Sequence, residues 1–541
     1  MQVEMNGEME MTRRFRRCGG ILATILALML TVCGNPSRAD EPPNAPPLPD
    51  GFYTGSMAGS IGTPPYPFEF VLKNENGKMT VTPRIGEVRV ASVSVAGEVV
   101  TVVVRFRGTD VPLEGRLTDG EVCGKGTYAG FTFPWSVRRV GPLPDPSVTR
   151  VERWRADLDH FRAEFPKRHI APFHKTGRKE FEASVERLKG RVNDLPDWAV
   201  AVELQRIVAS IGDGHTSLGA DPMYRRLPLF FTEIGGEILI VAAAEPYLDL
   251  IGTRVIRVGQ TATPDVLRLL TPFLVHENAA SLSDRFGTAF RTPELLMAAG
   301  VADSADPRLE VVGPNGKPAT VVVKSLTAVD AQKLAYVTVY KHFNVTPPLR
   351  QEQENRFYWF KYLPDAKAIY VNYRVCRDMP DLSFKEFTRQ LFSVADEHPE
   401  ARLIVDLRAN QGGSSSVMLT LIQALIDRPR FRAPGSVTAL IGRTTFSSGY
   451  LAAVDLKQRA GATLIGGPTG QRPNHYGEVR NFTLPYSELP VFYSTKFLKA
   501  DPDDRESLMP DIPVALRADA FLAGRDLVLE RALAQPVPAR P

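Results

Sequence analysis

Four short apolar runs in the C-terminal part of the chain constrain its fold most: Ala368–Tyr373, Leu403–Leu407, Val437–Ile441 and Thr463–Ile465. Each is too short for a helix and is bounded by turn residues, as buried strands are. Between them lie helically spaced stretches, Ser383–Glu397, Ser416–Ile426 and Ser447–Arg459. Strand and helix in alternation predict a mainly parallel sheet with right-handed crossovers. Sites in such sheets form where strands end at their carboxyl side. Two segments fall at such ends, Arg408–Gly413 and Arg443–Phe446.

The 541-residue chain is too long for one core, so a multidomain α/β protein is expected. Residues 1–39 read as a signal peptide: Arg13, Arg14, Arg16 and Arg17 precede an apolar run, Ile21–Val32, and Ser37-Arg38-Ala39 supplies small residues for cleavage. That run is short for a bilayer, so no permanent membrane span is expected. The expected location is periplasmic or secreted, with lipoprotein anchoring at Cys33 the lesser alternative. Residues 40–50 carry five prolines in eleven positions and read as an extended linker.

Residues 51–145 show short β patterns, with hairpin signals at Asn76-Gly77 and Asp119-Gly120 and a β-branched run at Val99–Phe106. A β-barrel or sandwich domain follows from these. Residues 146–225 turn helical. Val200, Leu204, Ile207, Val208 and Ile211 mark one apolar face running into the loop Asp213-Gly214-His215-Thr216. Residues 226–340 return to strands with one helix. Residues 341–530 are expected to form an α/β domain, and 531–541 a flexible tail.

Net charge is +4, of which the first 39 residues hold +2 (five Arg, three Glu). That balance predicts no nucleic-acid partner. Cys123 and Cys376 are far apart in sequence, and two buried thiols are favoured over a disulfide. No Cys/His cluster has metal-ligand spacing, so neither metal nor cofactor is expected.

Ser447 opens a helix directly after a strand and loop. A serine there is commonly only an N-cap. The helix start also offers free N–H groups and the positive end of the helix dipole, which suit a developing oxyanion. The N–H groups of Gly413 and Ser448 are the candidate donors, and Gly412-Gly413 lets backbone approach a substrate closely. His215 is the candidate base, with His475 its competitor.

Taken together, Asp406-x-Arg408-x-Asn410-x-Gly412-Gly413, Thr445-Phe446-Ser447 and Gly466-Gly467-Pro468-Thr469-Gly470 resemble the C-terminal processing (tail-specific) protease family. Asp213-Gly-His-Thr216, Pro473–Glu478 and Tyr493–Lys496 resemble its tricorn-core-like branch. The resemblance runs from Arg150 to Arg525. It implies a crotonase/Clp-protease-like β-α-β catalytic domain, and Ile251–Gln260 followed by Asp265–Leu270 resembles the strand–turn–helix of a PDZ module, making 226–340 a PDZ-like insert.

The resemblance implies that Ser447 is the nucleophile of a serine peptidase acting on peptides or protein C-termini. It places Arg472 where one branch has a lysine base. Arginine stays protonated, which leaves the role to a histidine. An acid is implied before Pro510-Asp511, at Asp504 or Glu506, and Thr469, Gly470, Gly412 and His475 are substrate-binding candidates. Two departures stand out: Gly214 where the family often has serine, and Tyr450 where it has glutamate. A catalytically inactive peptide- or ligand-binding protein and a crotonase-like acyl-thioester enzyme are the alternatives. The sequence leaves the oligomeric state open.

Overall fold

The computed structural model describes residues 48–536, apart from 59–65, 76–77, 85–87, 107, 119, 129, 142–146 and 314–315. The signal-peptide reading, most of the linker and the Asn76-Gly77 turn therefore lie outside the described residues. The chain divides into two compact units, one running through Thr149 with Arg480–Pro485, the other Arg150–Val479 with Tyr486 onward.

The first unit holds strands β1 (Gly51–Met57), β2 (Tyr66–Glu75), β3 (Lys78–Pro83), β4 (Val88–Ala96), β5 (Val99–Phe106), β6 (Thr109–Thr118), β7 (Glu121–Tyr128) and β8 (Phe131–Gly141). They form one antiparallel sheet in the order β3-β2-β1-β8-β7-β6-β5-β4, and its edge strands β3 and β4 pack on each other, nearly closing it. In β6 the alternation is strict: Val111, Leu113 and Gly115 are buried while their neighbours are exposed. One face of the sheet thus lines a core with Phe70, Val102, Val104 and Trp135.

The second unit begins with α1 (Arg150–Arg168), α2 (Arg178–Arg191) and α3 (Asp197–Ala209), followed by the short strand β9 (Ser217–Leu218). An antiparallel sheet follows, with β10 (Leu229–Ile234), β11 (Glu237–Ala243), β12 (Arg254–Val258), then α4 (Thr263–Leu270), α5 (Ala279–Phe290), α6 (Pro293–Ala298), β13 (Arg308–Val312) and β14 (Pro318–Val322). The sequence reading allowed one helix here. Helix α5 has its own local signal: Asn278 and Ser281 form a capping box, and Phe286, Ala289 and Phe290 supply its buried face.

The α/β region carries β15 (Tyr358–Leu363), β16 (Ala368–Tyr373), α7 (Phe384–Glu397), β17 (Arg402–Asp406), α8 (Leu419–Ile426), β18 (Val437–Ile441), α9 (Ser448–Ala460), β19 (Thr463–Gly466), β20 (His475–Thr483), β21 (Pro490–Leu498), β22 (Ile512–Pro513) and α10 (Leu527–Leu533). The sheet order is β15-β16-β17-β18-β19-β22, parallel from β16 onward with β15 antiparallel at the edge. Both faces are buried. Val371, Leu403, Val405 and Ala439 pack against Phe384, Leu391, Leu421 and Leu456, whereas Tyr370, Ile404, Leu440 and Ile465 pack against Val528 and Leu529. Two covered faces are why these strands read as unbroken apolar runs. Cys123 and Cys376 are free thiols; Cys376 is buried but Cys123 only partly so. No helix among the described residues is long and apolar enough to cross a membrane.

Candidate active site

Strand β18 ends at Ile441 and α9 begins at Ser448, so the intervening loop must turn tightly. Thr445 closes that turn: its N–H donates to Gly442 O (2.8 Å) and its hydroxyl to Leu407 O (2.9 Å) at the end of the neighbouring strand. The backbone then passes through Ser447 at φ 52°, ψ −128°. This conformation belongs to the first central residue of a type II′ turn, normally a glycine. A serine held there stores about 1–3 kcal/mol of strain, and such residues persist only where surroundings over-determine them. Here Phe446 N–H donates to Asn410 O (3.0 Å), Ser447 N–H to Gln471 Oε1 (3.1 Å), and Leu451 N–H to Ser447 O (3.1 Å).

Opposite Ser447 stands the end of β17. Gly412 and Gly413 adopt φ 112° and 134°. A Cβ on Gly412 would lie 2.7 Å from Ser447 Cβ and 3.1 Å from its Oγ, so the backbone touches the serine directly. Buried Asn410 fixes the loop, accepting from Gly412 N–H (2.8 Å) and donating to Tyr373 O (2.9 Å). Gly413 is held by Cys376 through a parallel bridge, and its carbonyl accepts from Ser448 Oγ (2.8 Å). These bonds leave the N–H groups of Gly413 and Ser448 without partners among the described residues, the second as an orphan donor at a helix start.

The loop carrying His215 is pinned at both ends. Helix α3 packs through Val200, Leu204, Ile207 and Val208, and β9 pairs with β21 (Ser217 with Phe492, Leu218 with Val491). Gly212, at φ 77°, makes the turn between them. Asp213 braces the loop from beneath. Its carboxylate accepts from His215 N–H (2.9 Å), the Thr216 hydroxyl (2.6 Å) and His169 Nε2 (3.1 Å). Burial pushes this carboxyl up, but the donors from His169, Thr216 and His215 outweigh it and hold it at about 2.

The His215 ring packs on Phe446 (centroids 4.6 Å apart) and lies 6.2 Å from the His475 ring. Both ring nitrogens are buried without a hydrogen-bond partner. Burial is the main reason the imidazole is held down at about 4, with the neighbouring His475 and Arg285 lowering it further against Asp213. His215 is thus a neutral imidazole beside the residue that precedes Ser447. No hydrogen bond joins it to Ser447 among the described residues.

Sequence reasoning missed Glu277, just before α5. Its carboxylate is buried, 3.9 Å from His215 Nδ1. It accepts from Gly214 N–H (3.2 Å), Arg472 N–H (3.0 Å) and the Gln471 side-chain amide. Burial, aided by Asp213, pushes it up to about 8 against the pull of those donors. A lone glutamate ahead of an unrecognised helix offers no motif, which is why it was not found. Gly214 makes its approach possible: a Cβ there would sit 2.7 Å from Glu277 Cγ and 2.9 Å from Phe446 Cζ.

The structure does not bring the two acids read from sequence to His215. Side chains of Asp504 and Glu506 are 64% and 68% exposed, and both pair with Arg472 (3.4 and 2.7 Å). Arg472 therefore anchors acids. Thr469 is fully buried, its hydroxyl donating to Gln471 O (2.9 Å) and accepting from Leu508 N–H (3.1 Å). Gly470 is equally enclosed; a Cβ on it would meet Arg443 O at 2.1 Å. Neither has surface to offer a substrate, and they act as the turn that delivers Gln471. His475 is buried too, with Nδ1 3.2 Å from Pro473 O, and desolvation lowers its pKa. Donor atoms of Asp213, His215 and Glu277 lie within 4.8 Å of one another, close enough to admit an ion. All four carboxylate oxygens are already engaged by N–H or O–H donors, so hydrogen bonding accounts for the cluster.

No family model and no curated protein matches the chain. Solved structures do. A CPAF mutant aligns at 11% identity over 71% of this chain and 97% of its own, with a TM-score of 0.51. Mature CPAF complexed with lactacystin aligns at 12% identity over 71% and 97%, with a TM-score of 0.49. The photosystem II D1 C-terminal processing protease aligns at 16% over 71% and 99%, with a TM-score of 0.34. The likeness is one of fold. It rests on the CPAF mutant and extends over most of both chains.

Proposed function

We propose that this chain is a serine-type peptidase that hydrolyses bonds in peptides or protein C-termini. The observation that carries the reading is the strained Ser447, packed against Gly412 with two free backbone N–H groups beside it and an unpartnered neutral imidazole next to its neighbour Phe446. Ser447 Oγ attacks the substrate carbonyl carbon while His215 takes the hydroxyl proton. The carbonyl oxygen becomes an oxyanion held by Gly413 and Ser448 N–H. Collapse breaks the C–N bond, and His215 returns its proton to the leaving amine. Water, deprotonated by the same histidine, then hydrolyses the acyl-enzyme and frees Ser447.

A neutral base needs no external deprotonation near pH 7, and its burial prevents idle protonation. The tight Gly412 contact fixes where the carbonyl can lie. Export after cleavage within residues 1–39 completes the proposal, resting on the arginine-rich and apolar segments there. The test is hydrolysis of an unfolded protein or fluorogenic peptide by the purified mature form. Turnover should vanish in Ser447→Ala; turnover that survives this change, or none in the wild type with any unfolded substrate, contradicts the reading.

A further inference from the structure

We propose that Glu277 is the acid that positions His215 for proton transfer, in place of the acidic run at residues 501–511. The inference rests on Ser447 as nucleophile and His215 as base.

Three observations carry it. Glu277 alone among the described carboxylates lies within 4 Å of a His215 ring nitrogen, on the Nδ1 side, leaving Nε2 to receive the serine proton. Its oxygens also hold both halves of the site. Oε1 accepts from Gly214 N–H in the histidine loop, and Oε2 accepts from Gln471, whose own Oε1 accepts from Ser447 N–H at 3.1 Å. One carboxylate thus sets the histidine loop and the nucleophile backbone relative to each other. Finally, Glu277 is itself held: the adjacent Asn278 caps α5 through Ser281 N–H (2.8 Å) and donates to Thr469 O (3.1 Å), Glu506 O (2.8 Å) and Ser507 Oγ (2.9 Å). Against this, the Asp504 and Glu506 side chains spend their charge on Arg472 at the surface.

When His215 takes the serine proton, an imidazolium forms beside Glu277, and an ionised carboxylate stabilises it. The groups facing this pair are Asp213, His475, Arg285, Tyr450 and Arg472. Asp213 is ionised down to about 2 and Tyr450 is pushed up to about 12, while His475 is lowered. Glu277, at about 8, is the member that changes charge in mildly alkaline solution.

The experiment is the rate of fluorophosphonate labelling of the full-length mature protein between pH 6 and 10, by intact-protein mass spectrometry. Wild type should show a rise centred near pH 8. Glu277→Gln, checked as folded by its thermal midpoint, should label ~10²-fold more slowly and lose that rise; Glu277→Asp should recover part of the rate. Asp504→Asn and Glu506→Gln should label within about twofold of wild type. Glu277→Gln labelling at the wild-type rate, or a large loss in Glu506→Gln or Asp504→Asn instead, overturns the assignment and leaves the serine mechanism standing. A wild-type profile flat across pH 8 overturns it without any variant. Failure of wild type to label at all removes the mechanism on which it rests.

Discussion

Two buried polar clusters sit at the carboxyl end of the same parallel sheet and are built in opposite ways. In the first, Arg408 lies between Asp406 (Nε to Oδ1, 2.9 Å) and Asp526 (2.6 and 2.7 Å), and Asp406 also accepts from the Tyr370 hydroxyl (2.7 Å). Every charge is answered. Burial opposes the guanidinium charge, yet the two aspartates hold its pKa well above the usual value. In the second, Asp213 is as fully bonded as anything in the first cluster, but His215 above it has no partner for either nitrogen. Leaving a buried polar group unpaired costs about 1–3 kcal/mol. Under the proposed mechanism that cost is tolerated at His215 because the missing partner is the reacting group. The first cluster is completely paired and the second is not, and the proposed mechanism gives that difference a reason.

Substitutions should separate the two clusters. The largest effect is expected at His215→Ala, which should lower peptidase turnover by ~10³-fold or more while leaving the thermal midpoint unchanged or raised, since an unsatisfied group is removed. Arg408→Leu should do the reverse. It strands two buried carboxylates and should cost about 3–5 kcal/mol in chemical denaturation, while the folded fraction keeps its turnover per molecule. A His215 variant that unfolds, or an Arg408 variant that stays stable but inactive, would erase the distinction.

Smaller effects sharpen it. Gly413→Ala must take φ 134° and bring a Cβ to 2.4 Å from Cys376 O. Displacing that N–H from the oxyanion should lower kcat by ~10²-fold with KM little changed. The smallest effect is in pH. Held at about 4 rather than its ordinary 6.5, His215 refuses a proton that the unfolded chain accepts. Its contribution to stability is therefore complete above pH 6.5 and is lost as pH falls through 4. A His215→Phe variant should show a shallower loss of thermal midpoint between pH 6.5 and 4.

Much of the scaffold was legible in the sequence because burial on two faces writes itself as unbroken apolar runs. Strands β16, β17, β18 and β19 fall within a residue or so of the runs that announced them. Ser447, Gly412, Gly413 and His215 were legible for a different reason: each belongs to a local turn whose geometry restricts the residue, so the motif travels with the fold. Glu277 obeys no such local rule. Its place is set by the Asn278 cap, by the space above Gly214 and by donors from Gln471 and Arg472, nearly two hundred residues downstream (277 against 471 and 472). The acidic run at 501–511 shows the converse: charge density in sequence says nothing of whether the charges face a site or solvent, and the structure leaves Asp504 and Glu506 exposed against Arg472. Thr469 and Gly470 likewise belong to the right motif, but the structure buries them as a turn.

The central claim is that Ser447 is a nucleophile made reactive by its setting, and one measurement addresses it directly. Intact-protein mass spectrometry after fluorophosphonate treatment should show a single adduct, mapped by peptide digestion to Ser447 and absent from Ser447→Ala. An adduct on another residue, or none on folded wild-type protein, would contradict the account.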